Sequence, residues 1–170
     1  GPGTDAEREA LESMLFLPTG EMTVSNTYST NQYGEVGLAA GAHPLLQPTD
    51  VARPGTDEAD AVAADNAARA VTLDDGATLN FLSSANSGLT PPYVSLTEPV
   101  RVGAPATFTE PVVVDYRNST WKLNPTAQVV PGTETVEFAD TRTAAPDVEQ
   151  LGDGDLTLAS FNVLNYFTTL

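Results

Sequence analysis

Short stretches in which apolar and polar residues alternate, separated by Gly, Pro, Asn and Asp, run through most of the chain. Over residues 21–28, Met22, Val24 and Tyr28 fall on one side and Thr23, Ser25 and Thr27 on the other, the period of a half-buried strand. Just before it, residues 13–17 (Ser-Met-Leu-Phe-Leu) run into Pro18-Thr19-Gly20, so the two stretches read as a hairpin. Residues 36–39 form a weaker strand after Tyr33-Gly34.

One segment changes period. Residues 57–70 follow a Thr at position 56, carry acids in the first turn and Arg69 in the last, and place Ala59, Val62, Ala63, Ala67 and Ala70 at helical spacing. The stripe is made of small side chains, so its burial stabilises little and docking must be shallow or close. Residues 71–73 then make a strand that enters an Asp74-Asp75-Gly76 turn.

Residues 80–99 are polar and turn-rich, which predicts a long surface loop. Strands resume at 100–102, 106–109 and 111–116, and Arg117-Asn118-Ser119 turns the last of these into 120–123 as a second hairpin. Short pieces at 126–130 and 135–138 complete a set of six to eight strands around one helix. A mainly β fold is expected, an OB-like small β-barrel, closed or partly open, spanning 11–138. Residues 1–10 read as a tag and disordered lead-in, because Gly1-Pro2 is what a protease leaves after removing an expression tag. Residues 139–154, rich in Asp, Thr, Ala and Gly, read as a linker.

Charge narrows the classes of function. Seven Lys plus Arg stand against 23 Asp plus Glu, a net −16 over 170 residues, yet charged residues are only 18%, so the acidity reflects a shortage of cations. A surface this negative repels a phosphate backbone and disfavours an autonomous DNA-binding domain. With no Cys there is no disulfide framework, thiolate zinc site or thiol nucleophile. No apolar run approaches the ~18 residues of a membrane span, so no membrane partner is expected. The apolar run at 156–167 stops three residues short of the end, which reads as a domain cut soon after it begins.

Two stretches carry a resemblance to a known family. The first is Leu11-Glu12-Ser13-Met14-Leu15, with Tyr33-Gly34-Glu35-Val36 and Leu46-Gln47-Pro48-Thr49-Asp50-Val51-Ala52-Arg53-Pro54-Gly55; the second is residues 158–170, beginning Leu158-Ala159-Ser160-Phe161-Asn162-Val163-Leu164-Asn165-Tyr166-Phe167. They resemble the region upstream of, and just entering, the endonuclease/exonuclease/phosphatase domain of secreted ExeM/NucH-type extracellular endonucleases. Residues 71–76, and 114–116 with 121–126, fit the same order. The resemblance implies that 155–170 is the first strand of a truncated α/β sandwich. It also implies that Asn162 is a catalytic residue of the full-length protein, helping to bind the catalytic metal, a divalent cation (Mg or Ca), or the groups around it, and that the acidic metal ligand and the catalytic His lie downstream. It further implies an extracellular protein with its signal peptide outside this sequence, and an inactive segment that acts as a monomeric accessory domain. Its partners would be its own downstream catalytic domain and, through the full-length enzyme, DNA or RNA.

The remaining candidates rest on residue chemistry alone. Tyr116, Arg117, Trp121 and Lys122 combine aromatic rings with cations as single-strand-binding OB barrels do. Against this, Trp121 pointing inward with Leu123 reads as core and Lys122 as its solvated neighbour, and two cations do not offset a net −16 beyond a screening length of ~10 Å. His43, the one His, reads as a loop residue. Asp74-Asp75-Gly76 and Asp153-Gly154-Asp155 lack the spacing of a calcium loop and read as turns. Two alternatives stay open: a binding module for single-stranded nucleic acid or carbohydrate, and an accessory domain of a phosphoesterase with another substrate.

Overall fold

The computed structural model describes residues 5–95, 97–144 and Leu158. In chain order the elements are α1 (Asp5–Glu9), β1 (Leu15–Phe16), β2 (Met22–Asn26), α2 (Thr30–Tyr33), β3 (Val36–Ala40), α3 (Pro48–Val51), α4 (Asp57–Arg69), β4 (Ala70–Leu73), β5 (Ala106–Phe108), β6 (Val112–Arg117), β7 (Thr120–Pro125) and β8 (Val136–Phe138). A 3₁₀ turn lies at Ser84–Asn86. The fold is mainly β: a six-stranded mixed sheet in the order β1-β6-β7-β4-β3-β2, with β5 and β8 forming a second, two-stranded sheet. Among the described residues only the β4–β7 pair is parallel.

The register gathers the apolar residues on one face. Met22 lies opposite Ala40, Val24 opposite Leu38, Leu38 opposite Val71 and Val36 opposite Leu73. The row continues from Leu73 to Leu123, from Leu123 to Val114, and from Val112 to Phe16. Residues directly opposite share a face, so this row is the core, and Val24, Val36, Leu38, Leu73 and Val112 in it are fully buried. Phe108 and Val136 of the second sheet, with Tyr93, close over it. The ring of Tyr93 meets Phe138 edge-on at 5.8 Å.

β1 and β2 are the two edges of the sheet, yet they are consecutive in the chain. Six strands laid flat would part their edges by about 24 Å at a spacing of ~4.8 Å. The six steps from Phe16 to Met22 reach about 22 Å at most, so the sheet must curl. Residues from both ends, Phe16 and Val114 on one side and Met22 and Ala40 on the other, line a single groove of ≈ 830 Å³. The closed barrel is not formed, because β1 and β2 share no ladder.

Several expectations need correction. The first predicted hairpin is absent: β1 pairs with β6, and β2 pairs with β3. Pro18, which has no N–H, sits where the first rungs of that hairpin would form, and pairing with β6 brings Phe16 to the end of the apolar row. Residues 100–102 and 126–130 are not strands, although Val129 is buried and donates its N–H to the Asp75 carbonyl at 2.8 Å. The loop at 80–99 is not wholly on the surface, since Phe81, Pro92 and Tyr93 are buried, Tyr93 with a φ of 62°. Residues 5–9 of the predicted lead-in are helical, and the Arg8 guanidinium donates to the carbonyls of Ala68 and Ala70.

Local signals hold elsewhere. The helix over Asp57–Arg69 has Thr56 as its cap, its hydroxyl accepting from the Ala59 N–H, and Arg69 in its last turn pairs with Asp65 at 2.8 Å. Of its small stripe only Ala59 is buried, so the helix docks shallowly, as small side chains require. The second hairpin is β6–β7, with Tyr116 opposite Trp121. The segments 145–157 and 159–170, hence most of the predicted linker, the truncated strand, Asn162 and the Asp153-Gly154-Asp155 turn, lie outside the described residues.

Candidate functional site

Charge converges at one place, on the sheet face opposite the apolar row. Lys122 neighbours Trp121 and Leu123, both of which face the core, so alternation turns it to the other side. Thr72 lies beside it across the parallel pair, and Asp74 follows two residues on. Glu35 precedes Val36 and so shares that side. The Lys122 ammonium donates to Asp74 Oδ2 at 2.8 Å and to Glu35 Oε1. It is 5% exposed and is therefore not the solvated neighbour that the strand pattern predicted.

The surrounding backbone fixes each carboxylate. The Thr30 hydroxyl donates to the Glu35 carbonyl at 2.8 Å, tying α2 to the start of β3. Asp74 Oδ1 accepts from the Gly76 N–H and Asp75 Oδ1 from the Ala77 N–H, closing the turn after β4. The Tyr93 hydroxyl donates to the Asp74 carbonyl at 3.3 Å. Asp75 is completely buried, and its Oδ2 has no hydrogen-bond partner.

Electrostatics follow from this packing. Burial by itself would lower the Lys122 ammonium, but its bonds to Asp74 and Glu35 and their charges outweigh that and hold it above its ordinary value. Burial raises the Asp75 carboxyl; the Ala77 N–H opposes the rise, and the charges of Asp74 and Glu35 add to it. Burial, then the charges of Asp75, Asp74 and Glu134, push the Tyr93 phenol well above its usual range. The cluster is a buried clamp joining β3, β4 and β7. The ammonium between Glu35 and Asp74 takes the position a bound cation would need, so this set does not fit a divalent metal.

The four residues singled out as a nucleic-acid cluster divide. Tyr116 is 49% exposed, with its ring 5.0 Å from that of buried Trp121. Arg117 is exposed and faces Asp115 at 3.3 Å. Trp121 belongs to the core row and lines the groove with Val71, Val114 and Leu123. Lys122 points away on the other face. The sequence reading missed Glu35 and Asp74 as its partners, which lie 87 and 48 residues away in the chain. The available signal was local: residues 121–123 are one of few places where a cation is enclosed by two large apolar side chains. His43 is exposed in its turn, and its carbonyl accepts from Arg69.

Comparison of the chain with protein-family models, with curated proteins and with solved structures gives no match. Among the described residues no helix is long and apolar enough to cross a membrane.

Proposed function

We propose that this chain is a non-catalytic, OB-like module of a secreted, metal-dependent nuclease, which positions the catalytic domain or its nucleic-acid substrate. The motifs at 11–55 and 158–170 support the reading by their resemblance to ExeM/NucH-type endonucleases. The structural observation that carries the accessory role is the fate of the cations beside the aromatic pair. Lys122 is neutralised internally by Glu35 and Asp74, and Arg117 faces Asp115. With those charges committed and a net −16 overall, phosphate contacts fall to another part of the enzyme. The divalent cation, Mg or Ca, belongs in this reading with Asn162 and with ligands outside this chain.

The test is expression of the chain with its natural continuation past Leu170. Divalent-cation-dependent hydrolysis of DNA or RNA that Asn162→Ala abolishes is the expected result, with the 1–170 chain alone showing none. Absence of hydrolysis in the longer protein would overturn the reading.

The groove over Trp121 favours a second reading, a binding module. Its ≈ 830 Å³ and apolar walls lie in the range of ligand sites. Titration of the 1–170 chain with single-stranded oligonucleotide or with soluble oligosaccharide at low salt separates the two. Binding tighter than micromolar, lost in Trp121→Ala, would favour the module.

A further inference from the structure

The free edge of the curled sheet carries an apolar surface. On the outer side of β1 the sheet has no further strand among the described residues, whereas β2 is flanked by residues 103–105, with Val24 N–H donating to the Ala104 carbonyl and Gly103 N–H to the Val24 carbonyl. Along the free edge Met14, Leu15, Phe16 and Leu17 are 51, 62, 41 and 41% exposed, and Leu11 beside them is also exposed. An open, apolar edge strand presents unpaired N–H and C=O groups together with side chains that burial would stabilise.

The chain itself supplies a matching segment. Residues 156–167 contain no Asp, Glu, Lys or Arg, in a protein of net −16. Leu158, the described residue of that run, stands 85% exposed, and burial of such a side chain favours association. The route is short. The Ala139 N–H donates to the Pro105 carbonyl, and Pro105 lines the same cavity as Leu17 and Pro18, so the polypeptide leaves β8 beside the β1–β2 connection. The seventeen steps from Ala139 to Leu156 reach about 56 Å when extended, several times the ~14 Å radius of gyration expected for a domain of this size.

We propose that residues 156–167 add to the free edge of β1 as a further strand, laying their apolar side chains on Leu15, Phe16 and the mouth of the groove. Tethering favours this occupant over a second copy of the chain. A short linker sets an effective concentration in the millimolar range, and two copies at net −16 each repel. The inference concerns the 1–170 chain and needs only the edge, the groove and the uncharged run; in the longer protein of the nuclease reading the same run would leave this edge for the catalytic sandwich.

The test uses the full chain, which has no native Cys. Leu15→Cys is paired in turn with Cys at Phe161, Asn162, Val163, Leu164, Asn165, Tyr166 and Phe167, with Gly152→Cys as the control that tethering alone would join. Addition as a strand predicts intramolecular disulfides whose rates alternate with period two along the series, the fastest about tenfold above the control. A flat series, or disulfides formed between molecules, would overturn the proposal. Hydrogen exchange gives a second readout. Val163→Pro with Leu164→Pro should speed exchange at residues 14–17 about tenfold while β6 and β7 keep their protection. Unchanged exchange at 14–17, or wild-type protection there that grows with protein concentration, would also overturn it.

Discussion

Gly34 lies directly against the buried carboxylate of Asp75: a Cβ on Gly34 would fall 2.5 Å from Asp75 Oδ2. Gly34 ends α2 with a φ of 66°, and its N–H donates to the Thr30 carbonyl. That turn delivers Glu35 to Lys122, so one glycine serves both the helix end and the ion cluster. Gly34→Ala should lose about 1 kcal/mol to the left-handed backbone and about 1–3 kcal/mol more to overpacking. A melting temperature lower by about 5–15 °C is expected. Asp75→Ala should recover part of the loss in a double-mutant cycle, and additivity of the two changes would show that the contact is not the cause.

Removal of Lys122 leaves two carboxylates facing each other without their cation. For a buried pair, loss of one partner costs about 3–5 kcal/mol, so Lys122→Met should shift urea unfolding by that amount. Arg117→Met is the contrast, since its pair with Asp115 is exposed and its loss should change stability by less than about 1 kcal/mol. Equal effects of the two substitutions would mean that the Lys122 clamp is not buried in solution.

The acid–base dependence has a definite sign. Asp75 in the folded chain lies above the 3.8 of a free carboxyl, so the folded state binds its proton more tightly than the unfolded state does. Its contribution therefore favours folding most at low pH and is lost as pH rises from that free value through the folded one. Asp75→Asn removes this dependence, and its melting temperature relative to wild type should be higher at about pH 7 than at about pH 4. Lys122 behaves differently. Held above its ordinary 10.5, it stabilises fully below that value and ceases to do so only in strong alkali. A difference between Asp75→Asn and wild type that stays constant from pH 7 to pH 4 would contradict the assignment.

Salt should stabilise the fold. With 23 acids against seven cations, folding brings like charges together, and raising NaCl from about 0.02 M to about 0.5 M shortens the screening length several-fold. Differential scanning calorimetry should show a rising melting temperature over that range. A falling one would mean that the internal pairs of Lys122 and Arg69 outweigh the general repulsion.

Local features were legible in the sequence and distant ones were not. The α4 helix and its Thr56 cap, and the β6–β7 hairpin, depend on residues close in sequence, and the pattern gave both. The partner of β1 was not legible, because Leu15 and Phe16 show which residues are apolar but not that Val113 and Val112 receive them. Tyr93 was hidden for another reason: it sits in a polar, proline-rich stretch, and its φ of 62° lets a single side chain dip into the core from a loop. At the candidate site, Trp121 could be read as core from its alternation with Leu123. Burial of Lys122 could not, since it depends on Glu35 just before β3 and Asp74 just after β4.

The pairing of β1 with β6 also dictates an order of events as the polypeptide emerges. The β2, β3 and β4 ladders join segments within about fifty residues, whereas Leu15 must wait for Val113, ninety-eight positions later. Loop closure over that distance delays the contact, and non-local pairings of this kind slow folding. The apolar stretch around Leu15 and Phe16 thus stays without its strand partner until Val112 and Val113 have been made, a longer wait than the β2, β3 and β4 ladders impose.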